Sequence, residues 1–149
     1  MATKYMHTNI VSENWEQLVQ FYQEVFDCVP VPPKREQEGE WLAQGTGLTG
    51  ASLQGMHLRL PGYGDTGPTL EIYQYGEIEP DAPPTANRKG FGHIAFLVDS
   101  VSAIREAVLD HGGTDLGRIT ETEVPGVGHL TFVYMLDPEG NILEIQNWS

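Results

Sequence analysis

Four residues carry most of the chemistry this sequence offers: His7, Glu71, His93 and Glu144. Each lies within an apolar, strand-like segment, where a buried polar or charged side chain needs a partner. Two imidazoles supply neutral nitrogen donors, and two carboxylates cancel a 2+ charge. An oxygen and nitrogen set without thiolate suits one divalent ion: zinc, nickel, cobalt, manganese or iron(II). Four protein ligands leave an octahedral ion two positions for water or substrate. Such an ion polarises a carbonyl group. Taken singly, each residue has a plainer explanation, a hydrogen-bonded histidine or a solvated glutamate. What favours the metal is recurrence in matching slots of a repeated pattern.

The elements that must position these residues follow from hydrophobic periodicity. Lys4 to Val11 alternates as a strand, with Tyr5, His7 and Asn9 on one face. Ser12 and Asn14 are caps for a helix whose stripe is Trp15, Leu18, Val19, Tyr22, Val25 and Phe26. That helix ends near Asp27, ahead of Pro30, Pro32 and Pro33. Glu40 to Gln44, Gly50 to Leu60 and Thr69 to Tyr75 are expected strands, with a Gly- and Pro-dense loop from Pro61 to Pro68. Residues 77–90 hold Pro80, Pro83 and Pro84 among polar neighbours, and form the expected linker. The pattern then restarts. Phe91 to Val98 is a strand, and Ser100 caps a helix with Val101, Ile104, Val108 and Leu109 inward, stopped by Gly112 and Gly113. Thr114 to Val124, His129 to Leu136 and Ile142 to Trp148 are strands, the last two joined by the turn Asp137-Pro138-Glu139-Gly140-Asn141.

The expected order is thus βαβββ over 1–76, a linker over 77–90, and βαβββ over 91–149, an α+β class with mostly antiparallel strands. Each module opens with a histidine strand, Tyr5-Met6-His7 and Phe91-Gly92-His93. Each closes with Leu-Glu-Ile, at Leu70-Glu71-Ile72 and Leu143-Glu144-Ile145. Period two puts Glu71 with Thr69, Tyr73 and Tyr75, and Glu144 with Ile142 and Gln146. Polar and phenolic neighbours suit a pocket lining better than a dry core.

Length and charge narrow the function classes. The 149 residues suit one compact domain or two small modules. A net charge of −13 repels a phosphate backbone and excludes nucleic acid as a partner. The apolar runs fall far short of the roughly 20 residues that span a bilayer, so no membrane segment is expected. The first ten residues lack the apolar core of a signal peptide. One cysteine, Cys28, fits a reducing compartment, and a cytoplasmic location is expected.

With these segments in hand, the chain resembles the vicinal oxygen chelate superfamily, which includes glyoxalase I, methylmalonyl-CoA epimerase, extradiol dioxygenases and fosfomycin- and bleomycin-resistance proteins. The resemblance covers nearly the whole chain. It is carried by the opening strand with His7, Phe21-Tyr22-Gln23-Glu24-Val25-Phe26, Thr69-Leu70-Glu71-Ile72, Gly92-His93-Ile94-Ala95-Phe96, and above all Asp137-Pro138-Glu139-Gly140-Asn141-Ile142-Leu143-Glu144. It implies one glyoxalase-like domain, in which two modules curl into an open barrel around a metal. Dioxygenase- and fosfomycin-type members use two histidines and one glutamate, whereas glyoxalases and epimerases add a fourth ligand at the slot of Glu71. Glyoxalases have Glu there and epimerases often Gln. The resemblance therefore implies a proton shift next to a carbonyl of a small-molecule substrate, with Glu144 or Glu71 loosening from the metal to act as base. The Glu77–Gly90 segment and the long first half depart from the compact bacterial glyoxalase pattern.

The alternatives are an epimerase, an extradiol-type dioxygenase needing redox-active iron or manganese, a metal-binding relative without catalysis, or a non-catalytic resistance-type binder with a more apolar pocket. Exposed sheet edges make a homodimer the expected assembly. Arg59, His57 and Tyr73 are further candidates for contact with substrate, and Tyr134 for donation to it, with solvent exposure or packing the competing explanations. His111 is expected to cap its helix and His129 to serve a loop. Cys28, beside no cation, is not expected to be a nucleophile.

Overall fold

The computed structural model describes residues 2–149. The chain falls into two compact units, residues up to Asp81 and Ala82–Ser149, and each is one sheet with a helix packed on one face. The class is α+β. Among the described residues neither sheet closes into a barrel, and no helix is long and apolar enough to cross a membrane.

The first unit opens with β1 (His7–Val11), in which exposed and half-buried residues alternate as a one-sided strand requires. Asn14 then accepts a hydrogen bond from the Gln17 backbone N–H at 3.3 Å, and so caps α1 (Trp15–Phe26). Asp27, in the left-handed region at φ 58°, ends it. The apolar stripe of α1 buries Leu18, Val19, Tyr22, Val25 and Phe26, together with Phe21, against the middle strands. Truncating Leu18 or Tyr22, both fully buried, removes about 2–5 kcal/mol.

The next stretch adds a strand the periodicity does not show and overturns one expectation. Pro30 to Pro33 belongs to a strand, β2 (Val29–Glu38). This is the outermost strand of its sheet, where proline is tolerated, and Pro32 and Pro33 fall in the irregular stretch where the pairing shifts between Val31 and Arg35. Glu40 to Gln44 is not a strand but the core of a short helix, α2 (Glu40–Thr46). It contains no β-branched residue before Thr46, and Gly39 and Gly47 bound it. Its one buried side chain, Leu42, packs on Leu53 and Tyr73. Then come β3 (Ser52–Arg59) and β4 (Thr69–Tyr75). The sheet order is β1-β4-β3-β2, with β1 parallel to β4 and the other neighbours antiparallel.

The second unit repeats this plan. β5 (Ile94–Leu97) is shorter than expected, and His93 stands just ahead of it. Ser100 accepts from the Ala103 N–H at 3.2 Å and caps α3 (Val101–Asp110). The segment expected as one strand from Thr114 to Val124 is two, β6 (Thr114–Asp115) and β7 (Thr120–Val124). Both pair with β8 (Gly128–Leu136), because Gly117 and its neighbours turn the chain aside between them. β9 (Ile142–Trp148) completes an order of β5-β9-β8-β6, again with the first strand parallel to the last.

The β8–β9 turn is held by one buried carboxylate. Asp137, 2% exposed, accepts from the backbone N–H groups of Glu139 (2.8 Å) and Asn141 (3.0 Å) and from the Asn141 side-chain amide (2.8 Å). Gly140 supplies the positive φ of 86° that the turn needs. That turn sets the register in which Tyr134 stands opposite Glu144.

Candidate metal centre

Each sheet packs its longer helix on one face, and in the first unit Leu42 of α2 covers part of the other. In the first unit Leu58, Leu70 and Ile72 are buried beneath α1. Period two then turns His7, Asn9, Glu71, Tyr73, His57 and Arg59 to the opposite face. In the second unit Val133, Met135, Leu143 and Ile145 are fully buried, which leaves Tyr134 and Glu144 on the other side.

Each unit brings one histidine to one glutamate. In the first, Nε2 of His7 lies 3.6 Å from Oε1 of Glu71. In the second, Nε2 of His93 lies 3.2 Å from Oε2 of Glu144. Metal–ligand bonds of about 2.0–2.2 Å place adjacent donor atoms roughly 3–3.5 Å apart, a spacing the His93–Glu144 pair has at 3.2 Å and the His7–Glu71 pair narrowly exceeds at 3.6 Å. Among the described residues, no group of three or more His, Cys, Asp or Glu has the geometry to hold an ion. The donor chemistry and spacing thus fit a metal pair by pair.

His57 does not extend the first pair to a ligand trio, because it is engaged otherwise. Its Nε2 lies 2.9 Å from Oε2 of Glu71 and 2.8 Å from the Tyr73 hydroxyl, both hydrogen-bonding distances. Burial pushes its pKa below the ordinary value, outweighing the upward pull of the Glu71 charge, so His57 is neutral near pH 7. Tyr73 is pushed up, first by burial and then by the charge and hydrogen bond of Glu71, so its hydroxyl stays protonated. Asn9 donates from Nδ2 to Oε1 of Glu71 at 2.9 Å. Glu71 is consequently a buried carboxylate, 8% exposed, with both oxygens occupied. The Glu144 side chain is 14% exposed and hydrogen-bonded to His93, over which the Tyr134 ring is tilted at 4.8 Å.

Sequence reading found Glu71, His57 and Tyr73 as separate candidates, but saw neither their mutual bonding nor the part of Asn9. The available signal for Asn9 was its period-two relation to His7. Its place beside Glu71 comes from the parallel β1–β4 register, which pairs Asn9 with Glu71. Arg59 stands at the end of β3 with a guanidinium nitrogen 3.8 Å from Asp65. His111 caps α3, with Nδ1 2.7 Å from the Ala107 carbonyl. His129, at the start of β8 as expected, engages side chains of β7 rather than serving a loop, with Nδ1 2.7 Å from Glu123 and Nε2 3.5 Å from Glu121. Burial pushes the Cys28 thiol up to about 12, which removes it as a nucleophile. A groove of about 630 Å³ opens where α1 begins, lined by residues such as Trp15, Glu36, Glu38 and Gln74. It includes none of His7, His57 or Glu71, and its lining brings no histidine to its glutamates, so the His–Glu pairs remain the better candidates for chemistry.

Comparison with known proteins places this arrangement. The sequence profile of the Glyoxalase/Bleomycin resistance protein/Dioxygenase superfamily matches residues 4–145. The chain belongs to that superfamily. A probable lactoylglutathione lyase of Vibrio parahaemolyticus is 29% identical, over 95% of this chain and 89% of its own. Among solved structures, a glyoxalase family protein from Bacillus cereus shares the fold with a TM-score of 0.78 at 17% identity, covering 98% of this chain and 93% of that one. A glyoxalase-related enzyme from Fulvimarina pelagi has a TM-score of 0.61 at 18% identity, covering 98% and 88%.

Proposed function

We propose that this protein is a metal-dependent enzyme of glyoxalase type, which moves a proton between the two carbons of a small carbonyl substrate. His7 with Glu71, and His93 with Glu144, are the residues that would hold its divalent ion. The observation that carries this reading is the repeated pairing, His7 with Glu71 and His93 with Glu144, in equivalent slots of the two units. Glutamate rather than a neutral side chain at position 71, and the likeness to a probable lactoylglutathione lyase, favour a proton shift over oxygen chemistry.

When bound, the ion supplies the positive charge that acidifies the carbon–hydrogen bond beside the substrate's carbonyl. The chain's own groups do the rest. The Glu144 carboxylate is the less restrained of the two, and it takes the proton from one carbon and returns it to the next. The substrate is thereby isomerised with no net loss of atoms. Glu71 stays in place and balances charge. Tyr134, beside His93, limits the rotamers open to that imidazole. The lone buried Cys28 accords with a reducing, cytoplasmic setting, and a homodimer is the proposed assembly.

Elemental analysis of protein purified without added metal or chelator, repeated on Glu71→Ala, tests the site. Near-stoichiometric nickel, cobalt or zinc that is lost in the variant is the expected result. It leads directly to assays with thiol adducts of α-ketoaldehydes. Iron in its place would redirect the assays to oxygenase substrates, and failure to take up any metal on loading would overturn the proposal.

A further inference from the structure

We propose that Asn9, His57 and Tyr73 form a clamp that fixes the Glu71 carboxylate in one orientation, with His57 as its central positioning residue. The inference rests on the reading that Glu71 is a metal ligand. It goes beyond that reading by giving the two glutamates unequal freedom.

The geometry is specific. Oε1 of Glu71 accepts from Nδ2 of Asn9 at 2.9 Å, and Oε2 lies 2.9 Å from Nε2 of His57. An ionised carboxylate offers only acceptors, so at this distance the proton of the hydrogen bond is carried by Nε2 of His57. Tyr73, whose hydroxyl is 2.8 Å from that nitrogen, braces the imidazole. Oε1 retains a second lone pair, and His7 lies 3.6 Å from that oxygen. The clamp therefore grips the carboxylate while leaving it able to serve an ion beside His7.

The second unit provides an internal control. His57 stands directly opposite Glu71 across the β3–β4 ladder, and Tyr134 stands opposite Glu144 across the β8–β9 ladder. Asn9 pairs with Glu71 in the parallel ladder, and Ala95 pairs with Glu144. Two residues beyond the glutamates stand Tyr73 and Gln146. Each neighbour position that builds the clamp around Glu71 thus carries a different residue beside Glu144, and Ala95 has no side-chain donor to give. Identical frames build the clamp in one sheet and omit it in the other.

Gly55 is part of the device. It lies opposite Tyr73, and a Cβ there would fall 2.7 Å from Cδ1 of the ring. The absence of that carbon lets the ring lie across β3 and bring its hydroxyl to His57. Holding a ligand's orientation before the ion arrives reduces the entropy lost on binding, and supporting contacts of this kind are typically worth about 10–100-fold in affinity.

The test is cobalt(II) titration of the full chain by calorimetry and visible absorption, with nitrogen-15 spectra of the histidines in metal-free protein. The variants are His57→Leu, His57→Gln, Tyr134→Phe and Glu71→Gln. His57→Leu is expected to bind cobalt about 10–100-fold more weakly and to change the visible band. His57→Gln, which keeps a donor, recovers part of the loss. Tyr134→Phe, in the equivalent slot, moves affinity less than about threefold. In metal-free protein Glu71→Gln shifts the His57 Nε2 resonance, a readout that also stands if His57→Leu fails to fold. Cobalt binding by His57→Leu as tight as wild type, with binding lost in Glu71→Gln, would overturn the clamp and leave the metal site intact. If the wild type takes up no cobalt, the metal reading falls. The clamp is then decided by the metal-free spectrum, where an unmoved His57 resonance overturns it.

Discussion

Gly55→Ala strikes the fold and the candidate site together. The backbone at Gly55 is ordinary strand, so the cost is wholly steric. An added Cβ would overlap the backbone carbonyl oxygen of Ile72 and press on the Tyr73 ring at 2.7 Å. A ring can turn aside, but a backbone carbonyl in a paired strand cannot. Relief requires β3 to draw away from β4 around the Gly55–Tyr73 and Met56–Ile72 pairs. Losing about two ladder hydrogen bonds costs roughly 2 kcal/mol. Moving Tyr73 off Leu42 and Leu53 adds about 1 kcal/mol. The total of about 3 kcal/mol sits at the upper end of ordinary overpacking. Urea denaturation followed by tryptophan fluorescence in a Trp148→Phe background isolates the first unit, because the other tryptophans, Trp15 and Trp41, both lie there. Adding Tyr73→Ala does not recover the loss, since the carbonyl is untouched. A change below about 0.5 kcal/mol in Gly55→Ala, or full recovery in the double variant, would refute the steric argument.

Two further outcomes are expected. Asp137→Ala strips three hydrogen bonds from a carboxylate that is 2% exposed and leaves turn N–H groups unpaired, so the second unit loses about 2–4 kcal/mol in urea denaturation. For His129, hydrogen bonds donated to Glu123 and then to Glu121 raise the pKa above its ordinary 6.5. The folded form therefore holds the proton more tightly than the unfolded form. This stabilisation is complete below 6.5 and is lost as pH rises through the raised value. The melting temperature of wild type relative to Glu123→Gln should fall between about pH 6 and about pH 8, and a flat difference across that range would show the contact to be absent in solution.

Much of the frame was legible in the residues alone. The stripe of α1, its Asn14 cap, the strand Thr69–Tyr75 and the strand Ile142–Trp148 follow from periodicity and capping chemistry, which are local. The candidate ligands His7, Glu71, His93 and Glu144 were legible because the module repeats, and repetition exposes a charged residue that recurs in an apolar slot. Superfamily membership followed from the same segments.

Local signals misled where the deciding partner was distant in sequence. Pro30 to Pro33 carries no local strand signal, yet it is tolerated in a strand because β2 is at the sheet edge, a position that only the assembled sheet defines. Glu40 to Gln44 is too short for its period to separate helix from strand, and the packing of Leu42 on Leu53 and Tyr73 supports the helix. The candidate site shows the same division. Residue types at positions 9, 57, 71 and 73 are written in the chain. That Asn9 and His57 flank Glu71 from two different strands, one parallel and one antiparallel, is decided by register. Register depends on which strands pair and how they slide, so one residue of slip would turn His57 to the helix side and leave Glu71 without its donor.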